Sequence, residues 1–346
     1  MIRVAGGPMF PAPAGTGPRA RAATQRPGVR AYKDYVDLHF GRIPDDRPDL
    51  WLRHRNYLVN CMRLADREFG RIVEAVDRLD LWPDTVVILT GDHGEMNGAH
   101  RMTQKAGIAF EEATVVNLTV CAPEGRLGAR TGAVGSHLDL APTLLAYAGL
   151  SDAEIGARYP HLKGRSLKGV IDGADRHGPR GSSEQPGDGA LICWDGLHAL
   201  DNDWSLSGAL KSLTSMGSSP SNEQQNRGEQ LREAGERFGA PDYSKRTFFR
   251  AVVDGRHKLV RWFSPEDYAN PATLEELLAT SDLGLYDLER DPGELQNLAH
   301  PDHPDHDLAL IARMGAKLHA LVEREIGEDR RPFDLDMFGT REVRQG

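Results

Sequence analysis

Asp92 and His93 stand side by side directly after the apolar run at residues 86–89 and the dipeptide Thr90-Gly91. A short apolar run that stops at glycine is typical of a buried strand, and ligands of open α/β sheets bind outside the carboxyl ends of strands. Asp offers oxygen and His offers nitrogen to a divalent cation. The pair therefore predicts a metal site at the end of a strand.

Two further side chains that could do chemistry follow closely, His100 and Lys105, and both could reach the same crevice. Taken alone, the Asp-His pair fits a plain turn better than a site, because Asp often bonds its own backbone in turns. The segments on either side of the pair decide between the two interpretations.

The composition of the 346-residue chain is that of an ordinary globular protein, with 39% hydrophobic and 27% charged residues. Its length predicts about two domains. A net charge of -9 argues against non-specific binding to nucleic acid, which needs a basic surface. No run approaches the roughly 18 apolar residues of a membrane span. We therefore expect neither nucleic acid nor a membrane as a partner.

The chain contains only 3 cysteines, an odd and sparse set that favours a reducing compartment over a disulfide scaffold. The first 30 residues are rich in Pro, Gly, Ala and Arg and lack the apolar core of a secretory signal. We therefore expect a flexible tail over residues 1–30 and a cytoplasmic location.

A long amphipathic helix is predicted from Leu50 to Pro83-Asp84, directly before the strand at residues 86–89. Its apolar residues recur at spacings near three and four, which is the pattern of a helix with one buried face. They are Tyr57, Cys61, Leu64, Phe69, Ile72, Val76 and Leu79. A helix followed at once by a strand is typical of a parallel sheet.

Residues 115–121 predict a second strand, and residues 139–149 a helix that begins at Asp139 and ends at Gly149. Asp139 therefore fits an N-cap better than a catalytic acid. The sequence leaves open whether the neighbouring His137 faces the site or solvent.

The second half of the chain predicts a small antiparallel sheet with one covering helix. Asp254-Gly255 joins two alternating apolar runs at residues 247–253 and 256–263, which is the strongest short signal for a hairpin. A further strand is predicted at residues 285–288. The apolar face of the C-terminal helix consists of Ile311, Met314, Leu318, Leu321 and Val322.

These elements predict an α/β protein with a mixed sheet flanked by helices, followed by the small antiparallel sheet and its helix. A stretch rich in Gly, Asp, Ser and Pro at residues 172–189 marks the boundary between the two parts. We expect an α/β domain over residues 31–175 and a smaller α+β part over residues 176–346, with a long variable loop at residues 205–243.

The order and spacing of several segments resemble the C-terminal half of a sulfatase of the alkaline-phosphatase superfamily, over about residues 50–299. Each segment by itself is weak evidence for the resemblance, whereas the whole set in this order is highly specific. The segments are residues 81–95, 98–105, 110–111, 137–149, 162–167, 254–260, 285–294 and 297–298.

The resemblance implies a divalent cation, usually calcium and sometimes manganese, and a small-molecule sulfate ester as substrate. Asp92 and His93 match the second pair of metal ligands. Lys105 matches a lysine that contacts the ester oxygens, and His100 matches a histidine that binds substrate or assists the leaving group. Without the resemblance, Lys105 reads as a solvated surface lysine and His100 as a loop residue.

Many sulfatases have Asn where this chain has His93. The Asp-His form resembles choline-sulfatase and phosphonate monoester hydrolase, so a phosphoester or phosphonate substrate stays open beside a sulfate ester.

The nucleophile of the family is a Cys or Ser in a C/S-x-P-x-R motif, oxidised to formylglycine, near a first Asp-Asp metal pair. The sequence shows neither. Cys121-Ala122-Pro123 has Gly125 in place of the Arg, and a second partial match at residues 218–222 ends in Asn. The chain therefore resembles a sulfatase without its first half, and a non-catalytic remnant that binds a metal or a partner is an alternative to an enzyme.

The missing nucleophile yields a first prediction. The purified chain should show little or no turnover of an aryl sulfate, because the covalent step has no formylglycine to perform it. The assay follows release of the phenol in the presence of calcium or manganese, in protein purified free of other hydrolases. Turnover with metal-dependent kinetics would contradict the prediction.

Overall fold

The fold is described from a computed structural model. The described residues are 27–105, 107–123, 125, 128–196, 200–206, 235–331 and 334–336. Most of the predicted tail, most of the predicted variable loop and the partial motif at residues 218–222 lie outside them. Residues 27–30 of the predicted tail belong to the first helix.

Helices and strands alternate in the first part of the chain, and strands dominate the second. The helices used below are α1 (Pro27–Phe40), α2 (Pro48–Arg78), α3 (Glu111–Thr114), α4 (Leu140–Tyr147), α5 (Asp152–Arg158), α6 (Lys168–Ile171), α7 (Asn202–Leu206), α8 (Leu274–Thr280) and α9 (Leu308–Glu325). The strands are β1 (Val87–Thr90), β2 (Leu118–Cys121), β3 (Ala190–Trp194), β4 (Phe248–Val253), β5 (His257–Phe263) and β6 (Asp282–Asp287).

The first two strands form a two-stranded antiparallel sheet, in which Val87 lies opposite Cys121 and Thr90 opposite Leu118. The α/β class is confirmed, but the parallel pairing expected from the helix-to-strand order is not found among the described strands. Parallel neighbours need a crossover of a dozen or more residues that runs back along the sheet. Between β1 and β2 the chain instead forms the site loop and the four-residue helix α3, so it returns in the opposite direction.

The other four strands form one antiparallel sheet in the order β3-β4-β5-β6. The predicted hairpin is confirmed as β4 and β5, and the predicted strand at residues 285–288 falls largely within β6. Gly255 turns between β4 and β5 with φ +110, where a Cβ would lie 2.4 Å from the carbonyl oxygen of Ser182. Glycine is thus required at this turn.

This four-stranded sheet is the centre of the structure because apolar side chains cover both of its faces. On one face, Phe249, Ala251 and Trp262 pack with residues from α1 and from the segment 96–113. On the other, Val252 and Leu259 pack with Met314 and the rest of the apolar face of α9, as the sequence predicted. The sheet therefore holds the site segment and the C-terminal helix on opposite sides.

Helix α2 confirms the predicted long helix, but its apolar face is not covered within the described part of the chain. None of its residues is buried, and Tyr57 and Ile72 are 67% and 58% exposed. Periodicity specifies the helix, whereas burial needs a neighbour that packs on it. No described helix is both long and apolar enough to cross a membrane.

Asp139 joins the first part of the chain to the C-terminal helix through a buried ion pair. Both of its oxygens accept from Arg180, at 2.7 and 2.9 Å, and Arg180 also contacts Glu325 of α9 at 2.7 Å. The predicted N-cap bond to α4 is absent, and Asp139 instead completes a capping box with Ser136 at the preceding turn. Its role is thus structural, as the sequence favoured.

Asp139→Asn should lower the free energy of unfolding by about 3 kcal/mol, because it leaves buried Arg180 incompletely neutralised. Urea denaturation measures the change. The matched control is Arg176→Gln, which breaks the exposed pair with Glu184 and should cost less than about 1 kcal/mol. Equal losses in both variants would show that burial of this pair carries no special weight.

Candidate metal and substrate site

The turn after β1 is held close beneath α3. The Gly94 amide donates to the carbonyl of Ala113 at 3.0 Å, and a Cβ on Gly94 would lie 2.0 Å from the carbonyl oxygen of Glu112. Only glycine allows this approach. The Asp-His pair therefore projects from a turn whose backbone position is fixed by its neighbour in space.

Asp92 and His93 place an oxygen and a nitrogen next to each other. The His93 amide donates to Asp92 Oδ1 at 2.9 Å, which is the local bond that the plain-turn interpretation expects. The Nδ1–H of His93 donates to the carbonyl of Gly94 at 3.0 Å, which leaves Nε2 as the ring nitrogen that could bind a cation in the neutral form. This Nε2 lies 3.4 Å from Asp92 Oδ2, and the side chains of Asp92 and His93 are 86% and 47% exposed.

The pair fits two ligands of one divalent cation. A metal-bound histidine commonly donates its other ring N–H to a backbone carbonyl, which fixes the orientation of the imidazole. Calcium takes six to eight oxygen ligands and zinc takes four ligands, so two side chains are only part of a coordination shell. Within the described residues no cluster of three or more His, Cys, Asp or Glu could hold a metal.

Lys105 lies near enough to Asp92 for the two charges to interact. The pKa of Asp92 is lowered mainly by its hydrogen bond from the His93 amide, and the charges of His93 and Lys105 contribute. The backbone of Lys105 is held by the hydroxyl of Tyr32, which donates to its carbonyl. The amide of Gln104 donates to Glu95 Oε1 at 2.6 Å. The charge of Lys105 thus acts on Asp92, the neighbour of His93.

His100 lies deeper than the other three predicted residues. Its ring stacks on Phe110 with a centroid distance of 3.7 Å, and its buried Nε2 has no hydrogen-bond partner among the described residues. Burial, with the nearby charge of Lys258, lowers its pKa to about 4. His100 is therefore a neutral imidazole at pH 7, which can hydrogen-bond to a substrate but is not charged.

The backbone around His100 is strained. His100 and Arg101 have φ values of 50 and 56, and Gln104 has a φ of 70, a region that non-glycine residues adopt at a cost. Arg101 contacts Asp45 at 3.0 Å, which ties this loop to the start of α2. Asn97 adds a fourth non-glycine residue with positive φ, at 45, and such strain within one short loop is typical of a functional segment.

The sequence left the orientation of His137 open and did not place Tyr32 at the site. His137 faces the turn, because its Nε2–H donates to the carbonyl of Gly91 at 2.8 Å. Tyr32 supports Lys105 from α1. Neither has a local signal, since each contact joins residues that are far apart in the chain. The only local indication for Tyr32 is its spacing from Val29, Tyr35 and Val36, which places the four side chains on one buried face of α1.

Residues 13–150 match the family model described as Sulfatase. Over this segment the chain is similar to sulfatases. The turn with Asp92 and His93 lies inside the matched segment.

Two curated relatives and one solved structure illustrate the likeness. The chain is 33% identical over 116 residues to the uncharacterized sulfatase YidJ of Escherichia coli (strain K12), covering 33% of this chain and 22% of YidJ. It is 35% identical over 118 residues to arylsulfatase K of Mus musculus, covering 34% and 20%. The chain thus aligns with about a fifth of the length of these relatives.

The solved structure is that of BT4656 in complex with its substrate D-glucosamine-2-N,6-O-disulfate. It covers 78% of this chain and 40% of its own chain, with a TM-score of 0.50 and 16% sequence identity. At this identity the likeness shows the fold alone. The shared fold extends beyond the segment that the family model matches.

The low pKa of His100 predicts how stability depends on pH. Between pH 6.5 and about 4 the unfolded chain binds a proton at His100 that the folded chain does not, so stability falls as the pH falls through this range. The loss should approach about 3 kcal/mol from this residue. Urea denaturation of wild type and His100→Gln at several pH values measures it. Parallel profiles for the two proteins would contradict the assignment.

Proposed function

We propose that this chain contributes the metal-binding and substrate-binding side of a sulfuric ester hydrolase site. The observation that carries the proposal is the pairing of Asp92 Oδ2 with His93 Nε2 at 3.4 Å, with Nδ1 held by a backbone carbonyl. It lies at the end of a strand within the sulfatase segment. The cation is calcium or manganese.

Each side chain has a role that follows from its position. Asp92 and His93 would hold the cation, which when bound acts as a Lewis acid toward a sulfate oxygen. Lys105 places an ammonium group near the same position and stabilises negative charge on the non-bridging oxygens. His100 donates or accepts a hydrogen bond as a neutral imidazole. Protonation of the leaving alkoxide at pH 7 therefore falls to another group, such as Lys105.

The sequence contains no C/S-x-P-x-R motif that could supply the nucleophile for covalent catalysis. Cys121, the closest partial match to the family nucleophile, lies on β2 opposite Val87, and it lacks the following Arg. The chain also aligns with only about a fifth of its curated relatives. We therefore propose binding and charge stabilisation, and not the covalent step, as the contribution of these residues.

A phosphoester or phosphonate monoester is the second candidate substrate class, favoured by His93 in place of Asn. Phosphate and sulfate esters present similar tetrahedral anions to a cation and a lysine. Inorganic phosphate and sulfate, compared as competitors for the same site, distinguish the two classes by affinity.

Asp92→Ala should weaken binding of manganese at least tenfold, because it removes one of the two ligands. Isothermal titration of the purified chain with manganese and with calcium measures the affinity. The matched control is Asp84→Ala, an exposed carboxylate just before β1, which should bind manganese like the wild type.

The far-UV spectrum of each variant checks that it is folded. Manganese binding that is equal in wild type and Asp92→Ala would refute this metal site. A folded wild type that binds neither metal would instead favour a non-catalytic remnant over the proposed function.

A further inference from the structure

Lys258 on β5 is a fully buried cation at which three separate parts of the chain meet. Its Nζ lies 2.9 Å from Glu111 Oε1 and 2.8 Å from Glu294 Oε1. It also donates to the carbonyl of Ala109 at 2.8 Å. The side chain of Lys258 has no exposed surface, and that of Glu294 has almost none. The hairpin, the loop after β6 and the start of α3 thus meet at one ammonium group.

Glu294 closes this cluster from the other side. Its second oxygen accepts from the Glu111 amide at 2.6 Å, and its backbone has a φ of 50, which is unusual outside glycine. One cation faces two carboxylates, and burial raises the pKa of Glu294 to about 7. A strained backbone that is held in place by buried charge is typical of a position under functional constraint.

The cluster is connected to the proposed substrate site through Phe110. Lys258 contacts Ala109 and Glu111, the two neighbours of Phe110 in the chain. The Phe110 ring is the surface on which His100 stacks, in a nearly parallel arrangement with an angle of 9°. The orientation of Phe110, and with it that of His100, is therefore determined from both sides by Lys258.

Besides burial, the positive charge of Lys258 also lowers the pKa of His100. This charge disfavours a second cation on the buried imidazole. An apolar residue of similar length at position 258 could fill the space, but it could neither bind the two carboxylates nor place a positive charge near His100.

We propose that Lys258 is a positioning residue for the substrate side of the site: it fixes Phe110, and thereby His100 and the segment that carries Lys105. The inference rests on the proposed function, because it assigns a purpose to His100 and Lys105. Lys258 itself does not touch the substrate. It acts through Ala109, Phe110 and Glu111.

The test measures the pKa of His100 by NMR of histidine-labelled protein, with the signal assigned from His100→Gln. In Lys258→Met this pKa should rise by at least one unit, because the neighbouring cation is lost and the ring stack loosens. Lys258→Arg should keep it within half a unit of the wild type. The matched control is Lys317→Met, which removes another lysine ion pair, with Asp254, in the same part of the chain and should leave the His100 pKa unchanged.

Affinity for inorganic sulfate at pH 7 is the second measurement. It should fall at least threefold in Lys258→Met and in Glu111→Gln, while manganese binding stays at the wild-type level. If Lys258→Met does not fold, Glu111→Gln decides the question, because it removes the Lys258–Glu111 ion pair, one of the two contacts of Lys258 with the site segment, and keeps the Lys258–Glu294 pair.

A folded Lys258→Met protein with an unchanged His100 pKa, or unchanged sulfate affinity in Glu111→Gln, would overturn the proposal. Wild-type protein that binds neither manganese nor sulfate would refute the proposed function. The pKa of His100 would then still decide whether Lys258 positions it.

Discussion

Burial of the Lys258 ammonium is the constraint on which the rest of the structure depends. Removing an ion from water costs several kcal/mol, and the cost is offset only where opposite charges and hydrogen bonds surround it. For Lys258 this requires Glu111 from the site segment and Glu294 from the loop after β6 at the same time. The four-stranded sheet and the site segment must therefore dock in one arrangement.

A second buried pair has the same effect elsewhere. Arg180 binds Asp139 at the turn before α4 and Glu325 at the end of α9, so the C-terminal helix is tied to the first part of the chain. Apolar packing on both faces of the sheet supplies much of the stabilisation. The two ion clusters specify how the elements are oriented relative to one another, because charge-assisted hydrogen bonds form in few geometries.

The candidate site combines an open part and a closed part. Asp92 and His93 project into solvent from a turn that Gly94 fixes beneath α3. His100 is closed off against Phe110 and is kept neutral. The open pair suits a cation that needs further ligands, whereas the closed imidazole suits a group that must keep one orientation. The apolar face of helix α2 is also exposed, since no element within the described residues covers it.

The sequence by itself determined the local elements: the hairpin at Asp254-Gly255, the helices α2 and α9, and the Asp92-His93 pair at the end of a strand. These follow from periodicity and turn chemistry, which are properties of neighbouring residues. Only the tertiary structure decided the antiparallel pairing of β1 with β2, the exposed face of α2, and the burial of His100. It alone brought Lys258 to Ala109, 149 positions earlier in the chain. Such contacts depend on desolvation and on how whole elements pack, and no local pattern of residues encodes them.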